Sequence, residues 1–399
     1  MNATTLRGPS ALLPLLFVAS HAIAQDWTLN HLAFSITATS ATIGSLDVLG
    51  TGPIGQGTVL TPPNPSAGPN APLGFVFRPP LNGPVTLPRR IGPVPNRSET
   101  QEIDALSYIN YGSWVRTMNG TDFRWLFSVD QQSGGSLKGA IPTESATNQH
   151  AADIWRSICP TLLMGPTAAS VGCNLEIDAD GLFRNTAMLG LGLRDLGARP
   201  DDVDALAVAP ASNQLLVFHS LAQRDAILAG FSGADIFWRN PVQFQAPVGP
   251  PFTTVTRTYA TAAQLGLMSL DDVDGLVVFE NTFTNYQPSG GTVQANGMAT
   301  NGSGFFVHWQ SLPIPMTYAS DRIFFSITRN SPTVGLLDSR FNQPIQPGDI
   351  LEPPAPGSPA GTTPRIVVMA ELIGMRVDRV APFDLAAMDD MDALEYVGN

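Results

Sequence analysis

A short acidic phrase occurs four times in this chain, and its recurrence is the feature that most constrains the fold. Each of the first three copies is followed, directly or after an insertion, by an apolar segment. These segments are "RWLFSVD", "LLVFHSLA" and "RIFFSIT". Such self-similarity predicts a repeated supersecondary unit. The copies read "QEIDALSYIN" from Gln101, "DDVDALAVAP" from Asp201, "DDVDGLVVFE" from Asp271 and "DDMDALEYVGN" from Asp389.

Residues 34–63 and residues 325–354 are copies of one another. They align without a gap over 30 positions, of which 15 are identical. The first copy lies near the start of the chain, whereas the last acidic phrase lies at its end. Because the phrase elsewhere precedes an F-S segment, we expect the C-terminal phrase to pair with the N-terminal F-S strand. This pairing would complete one unit from both ends and leave no free sheet edge there.

Each unit contains about four short segments with the composition of β-strands, separated by turn residues. Segments such as "LAFSIT", "LLVFHS" and "GLVVF" are apolar or alternating, and the chain contains 37 glycines and 35 prolines. Four strands in each of four units predict an all-β fold, a β-propeller of four blades, with β-sandwich repeats as the alternative. The predicted organisation is a single repeat domain over residues 25–399, with units ending near residues 110, 210, 280 and 399.

The phrases D-D-x-D-A-L and F-S-V-D resemble those of a group of exported bacterial repeat proteins, over nearly the whole chain after residue 24. An Asp-Ala step followed by an aromatic strand, four times over, is similar at greater distance to the haemopexin-type four-bladed propeller. That likeness implies ion sites at the motif aspartates, in a central channel. The units are longer than that family's repeats, and its aromatic-rich third strand appears only as "DIFW" and "DIW".

The N-terminal residues have the pattern of a secretory signal peptide. Arg7 precedes the apolar residues 11–18, and Ala22 and Ala24 supply small residues before Gln25. We therefore expect residues 1–24 to be removed and the protein to be secreted, periplasmic or at the cell surface. No other stretch reaches the ~18 apolar residues of a membrane span.

Composition and charge limit the class of partner. The net charge of −12 disfavours nucleic acid, because an acidic surface repels phosphate backbones. The expected partner is an extracellular ligand, either a polysaccharide or a protein.

The two cysteines, Cys159 and Cys173, are fourteen residues apart. In an oxidising compartment this spacing predicts a disulfide that closes a short loop. In the chain-entropy model such a bond stabilises the fold by about 3 kcal/mol. A catalytic thiol is not indicated, because no histidine motif accompanies either cysteine.

The acidic phrases supply the first candidate metal ligands, Asp104, Asp204, Asp274 and Asp392. Brought together by pseudo-symmetry, four carboxylates could bind Ca²⁺, which takes 6–8 oxygen ligands. Alternatively, each aspartate accepts hydrogen bonds from nearby backbone N–H groups and shapes a turn. Repetition in every unit favours the second, structural role.

The segment "NLEIDADGLFRN" supplies a second candidate Ca²⁺ site. Glu176, Asp178 and Asp180 occupy alternate positions before a turn at Gly181. An EF-hand is excluded because Ala187 stands where its bidentate glutamate belongs. A looser Ca²⁺ loop and an ordinary polar turn both remain open.

No catalytic motif stands out. The histidines lack H-x-x-x-H spacing, and there is no G-x-S-x-G motif. The sequence therefore favours a non-enzymatic binding or cell-surface/matrix protein, stabilised by Ca²⁺. The alternative is a secreted carbohydrate-active hydrolase, with two catalytic carboxylates in loops at one face of a propeller.

Overall fold

A computed structural model describes the chain in separate stretches, and strands dominate them. The predicted signal peptide, Cys159 and most of the insertion after the third acidic phrase lie outside the described residues. No helix in the described part is long and apolar enough to span a membrane. The described residues are 32–45, 54–61, 75–76, 102–109, 124–131, 150–157, 173–179, 182–183, 186–187, 189–193, 201–211, 214–239, 242–243, 257–279, 322–355, 357–380 and 382–396.

The strands of the described residues are short and follow one another with few helices between them. In chain order they are β1 (Leu32–Ile36), β2 (Leu60–Thr61), β3 (Phe75–Val76), β4 (Ile103–Ile109), β5 (Arg124–Val129), β6 (Ile154–Ser157), β7 (Cys173–Ile177), β8 (Leu182–Phe183), β9 (Thr186–Ala187), β10 (Leu189–Gly190), β11 (Val203–Ala211), β12 (Gln214–Leu221), β13 (Ile236–Arg239), β14 (Val242–Gln243), β15 (Arg257–Ala260), β16 (Gly275–Phe279), β17 (Arg322–Ser326), β18 (Ile350–Glu352), β19 (Arg365–Val368) and β20 (Met391–Tyr396). The helices are α1 (Gln223–Leu228) and α2 (Ala262–Leu265), with 3₁₀ turns at Ala370–Ile373 and Leu385–Ala387.

Within the described residues, most strands belong to four antiparallel sheets of four strands each. Sheet 1 has the order β20-β1-β2-β3 and sheet 2 the order β4-β5-β6-β7. Sheet 3 has the order β11-β12-β13-β15 and sheet 4 the order β16-β17-β18-β19. The acidic phrase forms the first strand of every sheet, and the F-S segment forms the second. The predicted mostly-β architecture with four-stranded units is confirmed.

The two ends of the chain meet in sheet 1. Strand β20 pairs antiparallel with β1, from Tyr396 opposite Leu32 to Met391 opposite Ile36. The expected pairing of the C-terminal phrase with the N-terminal F-S strand is confirmed. The pairing covers the backbone edges that both strands would otherwise expose.

Among the described residues, the hydrophobic core forms four clusters, each shared by two sheets. The clusters join sheets 1 and 2, sheets 2 and 3, sheets 3 and 4, and sheets 4 and 1. Each sheet therefore contributes side chains to two different clusters. Their large or central members include Phe127 and Trp155 with Ala33, Leu126 and Ile154 with Phe237, Phe218 and Tyr259 with Phe325, and Phe34 with Phe324.

Strand β17 shows why the F-S segments are continuously apolar. Ile323 and Phe325 belong to the cluster shared with sheet 3, whereas Phe324 belongs to the cluster shared with sheet 1. Successive side chains of a strand point to opposite faces. A strand buried on both faces therefore needs an unbroken apolar run.

In three of the four sheets, the serine of the F-S segment is hydrogen-bonded to the following sheet. Its hydroxyl donates a hydrogen bond to a backbone carbonyl just before the first strand's motif aspartate in the following sheet. In sheet 4 the equivalent Ser326 Oγ is buried and has no hydrogen-bond partner in the described part of the chain. The three bonds are Ser35 to Ile103 O (3.0 Å), Ser128 to Val203 O (2.8 Å) and Ser220 to Val273 O (2.8 Å).

The first strands of the four sheets contact one another. Strand β4 contacts β20 and β11, and β16 contacts β11 and β20. Ser107 of β4 connects both of its neighbours, because its hydroxyl donates to Glu395 Oε2 of β20 at 2.8 Å and accepts from Val208 N of β11 at 3.0 Å. The four acidic phrases consequently lie close together.

Candidate cation site between the first strands

The first aspartate of the phrase caps a neighbouring loop. In sheet 4, Asp271 accepts hydrogen bonds from the Thr333 backbone N (2.8 Å) and from the Thr333 hydroxyl. In sheet 1, Asp389 makes the same two bonds with Thr42, which is the equivalent residue of the duplicated segment. These buried carboxylates have satisfied oxygens and serve as turn-forming groups.

The fourth position of the phrase, occupied by the predicted ligands, lies at a bulge in three of the sheets. In β4 the pairing passes from Ile103 to Ala105, so Asp104 has no partner residue on β5. The same interruption leaves out Asp204 in sheet 3 and Asp392 in sheet 1. A bulge changes the direction of a side chain. Asp104, Asp274 and Asp392 are buried, and Asp204 is slightly more exposed.

The structure brings all four predicted aspartates into one electrostatic cluster. Asp104 is influenced by Asp204 and Asp392, and Asp274 is influenced by the same two residues. Burial is the main cause that raises the pKa of each of the four carboxyls well above its usual value, and the neighbouring carboxylates add to it. Together with Asp130 and the second-position acids, they form what we call the central acid cluster. The second-position acids are Glu102, Asp202, Asp272 and Asp390.

The second position of the phrase adds four acids that the sequence did not single out. The fourth-position acid of one sheet lies beside the second-position acid of the next sheet, in a repeating order. Asp104 and Asp202 are hydrogen-bonded, as are Asp204 and Asp272. The sequence feature that could have identified these acids is their D-x-D spacing from the predicted ligands. Residues two apart in an extended segment tend to lie on the same face. The four pairs are Asp104 with Asp202, Asp204 with Asp272, Asp274 with Asp390, and Asp392 with Glu102.

Burial also shifts the second-position acids. It raises the pKa of Glu102 to about 7, that of Asp272 to about 7 and that of Asp390 to about 6, against hydrogen bonds that lower each value. The pKa of Asp202 is raised well above its usual range by burial, and then by Asp130 and Asp225. Desolvation disfavours the charged form of every one of these carboxyls.

Several oxygens of the central acid cluster have no hydrogen-bond partner among the described residues. An uncompensated buried carboxylate is costly, so such oxygens require protons or a cation. Arg329 Nε lies 3.1 Å from Asp390 Oδ2 and compensates only part of the charge. The buried atoms without a partner in the described stretches include Asp202 Oδ1, Asp272 Oδ1, Asp274 Oδ2, Asp390 Oδ1 and Asp392 Oδ2.

One group within the cluster has the geometry of a metal site. Asp104, Asp130 and Asp202 each offer a carboxylate oxygen, and these oxygens lie within 4.8 Å of one another. Asp104 and Asp202 are buried and Asp130 is partly buried. Asp130 was not among the predicted ligands; it is the acid of the F-S-V-D phrase, immediately after β5.

The second predicted site is described only in part. Glu176 lies in strand β7, and the backbone carbonyl of the buried Asp178 accepts a hydrogen bond from Leu191 N at 3.3 Å. Asp180 lies outside the described residues, as does Cys159 of the predicted disulfide. The Ca²⁺ loop and the disulfide therefore stay predictions.

A second set of structural aspartates was not identified from the sequence. Asp235 accepts hydrogen bonds from Ser232 N (3.0 Å) and Ala262 N (2.8 Å), before β13 of sheet 3. Asp349 of sheet 4 does the same with Gln346 N and Ala370 N, both at 2.9 Å. These carboxylates tie the start of the third strand to the end of the fourth. The sequence feature that could have identified these aspartates is the Asp-Ile dipeptide, which recurs at the start of the third strand.

Comparison with known proteins gave no match, whether to family models, to curated proteins or to solved structures. The resemblance to haemopexin-type repeats stays a prediction based on the motifs.

Proposed function

We propose that this protein is an exported, non-enzymatic β-repeat protein that acts as a binding or cell-surface/matrix component. Its four sheets form a four-bladed propeller that Ca²⁺ stabilises at the central acid cluster. The observation that carries the proposal is the series of four acid pairs. Each pair takes one carboxyl from each of two successive sheets, so a cation bound there holds sheets together.

The distribution of the core supports the propeller. In a propeller, each blade packs its two faces against two different blades, and the first strands surround the axis. The clusters join sheets 1 and 2, 2 and 3, 3 and 4, and 4 and 1. In a β-sandwich, one face of each sheet is exposed and its strands alternate. The unbroken apolar run of β17 favours the propeller.

The chemistry of the central acid cluster supports Ca²⁺. Hard carboxylate oxygens are its preferred ligands, and it accepts six to eight of them in flexible geometry. A divalent cation offsets the mutual repulsion of the carboxylates. It also supplies a partner for oxygens such as Asp202 Oδ1 and Asp392 Oδ2.

The pseudo-symmetry of the acids favours this role over that of a hydrolase. A glycosidase needs two carboxyls with different surroundings on either side of a glycosidic bond. The acids with raised pKa values recur instead at equivalent positions in all four sheets. The ligand, an extracellular polysaccharide or protein, is assigned to the unit-specific insertions outside the described residues.

Thermal unfolding of the chelator-stripped protein tests the cation. We expect the midpoint to rise with Ca²⁺ concentration, since a ligand at about 100 times its Kd adds about 2.7 kcal/mol of stability. Asp104→Asn should abolish the Ca²⁺-dependent shift. The matched variant Asp235→Asn removes a buried capping carboxylate and should keep that shift, although its midpoint is lower throughout. Identical midpoints for the wild type in chelator and in millimolar Ca²⁺ would contradict the proposal.

Binding and hydrolysis can be separated in one assay. The protein is incubated with insoluble polysaccharides and with immobilised extracellular proteins, and both retention and released reducing sugar are measured. Retention without released sugar is expected. Release of sugar at catalytic turnover would favour the hydrolase.

A further inference from the structure

The junction between sheets 2 and 3 differs from the other three junctions. Asp130 directly follows the second strand of sheet 2, and the equivalent residues of the other sheets are Thr37, Ala222 and Thr328. The paired acids Asp104 and Asp202 have counterparts at every junction, whereas a third acid at this position occurs at one of them. A functional site in a repeat protein is expected where the repeat is broken in this way.

The acid of the next sheet has an uncompensated oxygen at this junction. Asp202 Oδ1 is buried and has no hydrogen-bond partner in the described part of the chain. Asp272 Oδ1 and Asp390 Oδ1 are in the same situation at two other junctions, but no third acid accompanies them there.

The dimensions of the group fit one Ca²⁺ ion. Ligand oxygens lie 2.3–2.6 Å from Ca²⁺, so two oxygens on one ion are at most about 5 Å apart. The oxygens of Asp104, Asp130 and Asp202 lie within 4.8 Å of one another. Three carboxylates also outnumber the two charges of the ion, which favours its retention over monovalent cations.

We propose that Asp104, Asp130 and Asp202 form a single off-axis Ca²⁺ site that ties sheet 2 to sheet 3. This assignment rests on the proposed Ca²⁺-stabilised fold and locates its ion at one junction. Asp130 supplies the third carboxylate that distinguishes this junction. The buried Asp202 Oδ1, which has no hydrogen-bond partner among the described residues, is available to bind the ion.

The test is calorimetric titration of the chelator-stripped full chain with Ca²⁺, repeated with Tb³⁺ luminescence. The wild type should bind one ion. Asp130→Thr gives the junction the residue of sheets 1 and 4, and should weaken binding by at least about tenfold, since ligand charge sets Ca²⁺ affinity. The matched control Thr328→Ala, at the equivalent position of sheet 4, should bind as the wild type does. Near-ultraviolet circular dichroism checks that each variant is folded.

A gain of binding provides the converse test. Ala222→Asp places a third acid beside Asp204 and Asp272, and should raise the stoichiometry from one ion to two. If the wild type binds Ca²⁺ and Asp130→Thr binds it equally well, the site assignment is wrong while the cation-stabilised fold stands. If the wild type binds no divalent cation, the carboxyls share protons instead, and both proposals fail.

Discussion

Asp271 and Asp272 are neighbours in the chain, yet their carboxylates have opposite surroundings. Asp271 accepts hydrogen bonds from the backbone N of Met268 and of Thr333. Asp272 faces the central acid cluster, where its Oδ1 has no hydrogen-bond partner among the described residues. Both residues lie just before β16, where one carboxylate caps a neighbouring loop and the other enters the cluster.

The raised pKa values of Asp272 and Asp390 predict how stability depends on pH. Their carboxyls titrate near pH 7 and pH 6 in the folded protein, against 3.8 for an ordinary aspartate. The folded state therefore binds more protons than the unfolded state between these values, so its stability falls as pH rises. The groups that face them are Asp204, Asp225, Asp271 and Gln223 N for Asp272, and Arg329 and Asp389 for Asp390.

Urea unfolding in the presence of a chelator measures this dependence. The free energy of unfolding should decline from about pH 4 to about pH 7. Asp272→Asn should reduce the slope, because it removes one of the shifted carboxyls. A free energy that rises over this pH range would contradict the assigned surroundings of both residues.

The acidic phrase was predictable as a strand, but its bulge was not. The alternation in "DVDALAVA" predicts β11 and places Asp202 and Asp204 two residues apart. The interruption at Asp204 depends on how β11 aligns with β12, which the sequence of one strand does not determine. The same limit applies to the pairing of Asp104 with Asp202, since it depends on the order of the sheets.

A close approach between strands explains why one copy of the phrase has glycine in place of alanine. Gly275 in β16 stands where the other phrases have alanine. A Cβ atom at Gly275 would lie 2.3 Å from Ser326 Oγ and 2.7 Å from Leu394 Cβ. Glycine is therefore required by packing between β16, β17 and β20.

The inter-sheet serine bonds can be tested with a matched pair of variants. Ser128→Ala removes the hydrogen bond to Val203 O and should lower the free energy of unfolding by about 1 kcal/mol. Ser326→Ala removes a buried hydroxyl that has no partner in the described residues, and should leave stability unchanged or raise it. Urea denaturation of both variants gives the comparison. Equal losses of unfolding free energy in the two variants would contradict the assignment of a hydrogen bond to Ser128 and of none to Ser326 among the described residues.

At the scale of the whole molecule, the duplication predicted that the chain ends would pair. Phe34 and Phe325 begin equivalent segments, so the phrase before Phe325 implied a phrase to pair with Phe34, and β20 supplies it. The role of Asp130 could not be predicted, because its neighbour Asp202 lies 72 residues further along the chain, in another sheet. The contact arises only when sheets 2 and 3 pack together.

The central claim is that four sheets surround an acid cluster that binds Ca²⁺. The most direct measurement is a crystal structure of the protein soaked with Tb³⁺, a Ca²⁺ substitute with strong anomalous scattering. We predict four blades around one axis and an anomalous peak bounded by Asp104, Asp130 and Asp202. Two stacked sheets, or peaks confined to the outer surface, would contradict the account.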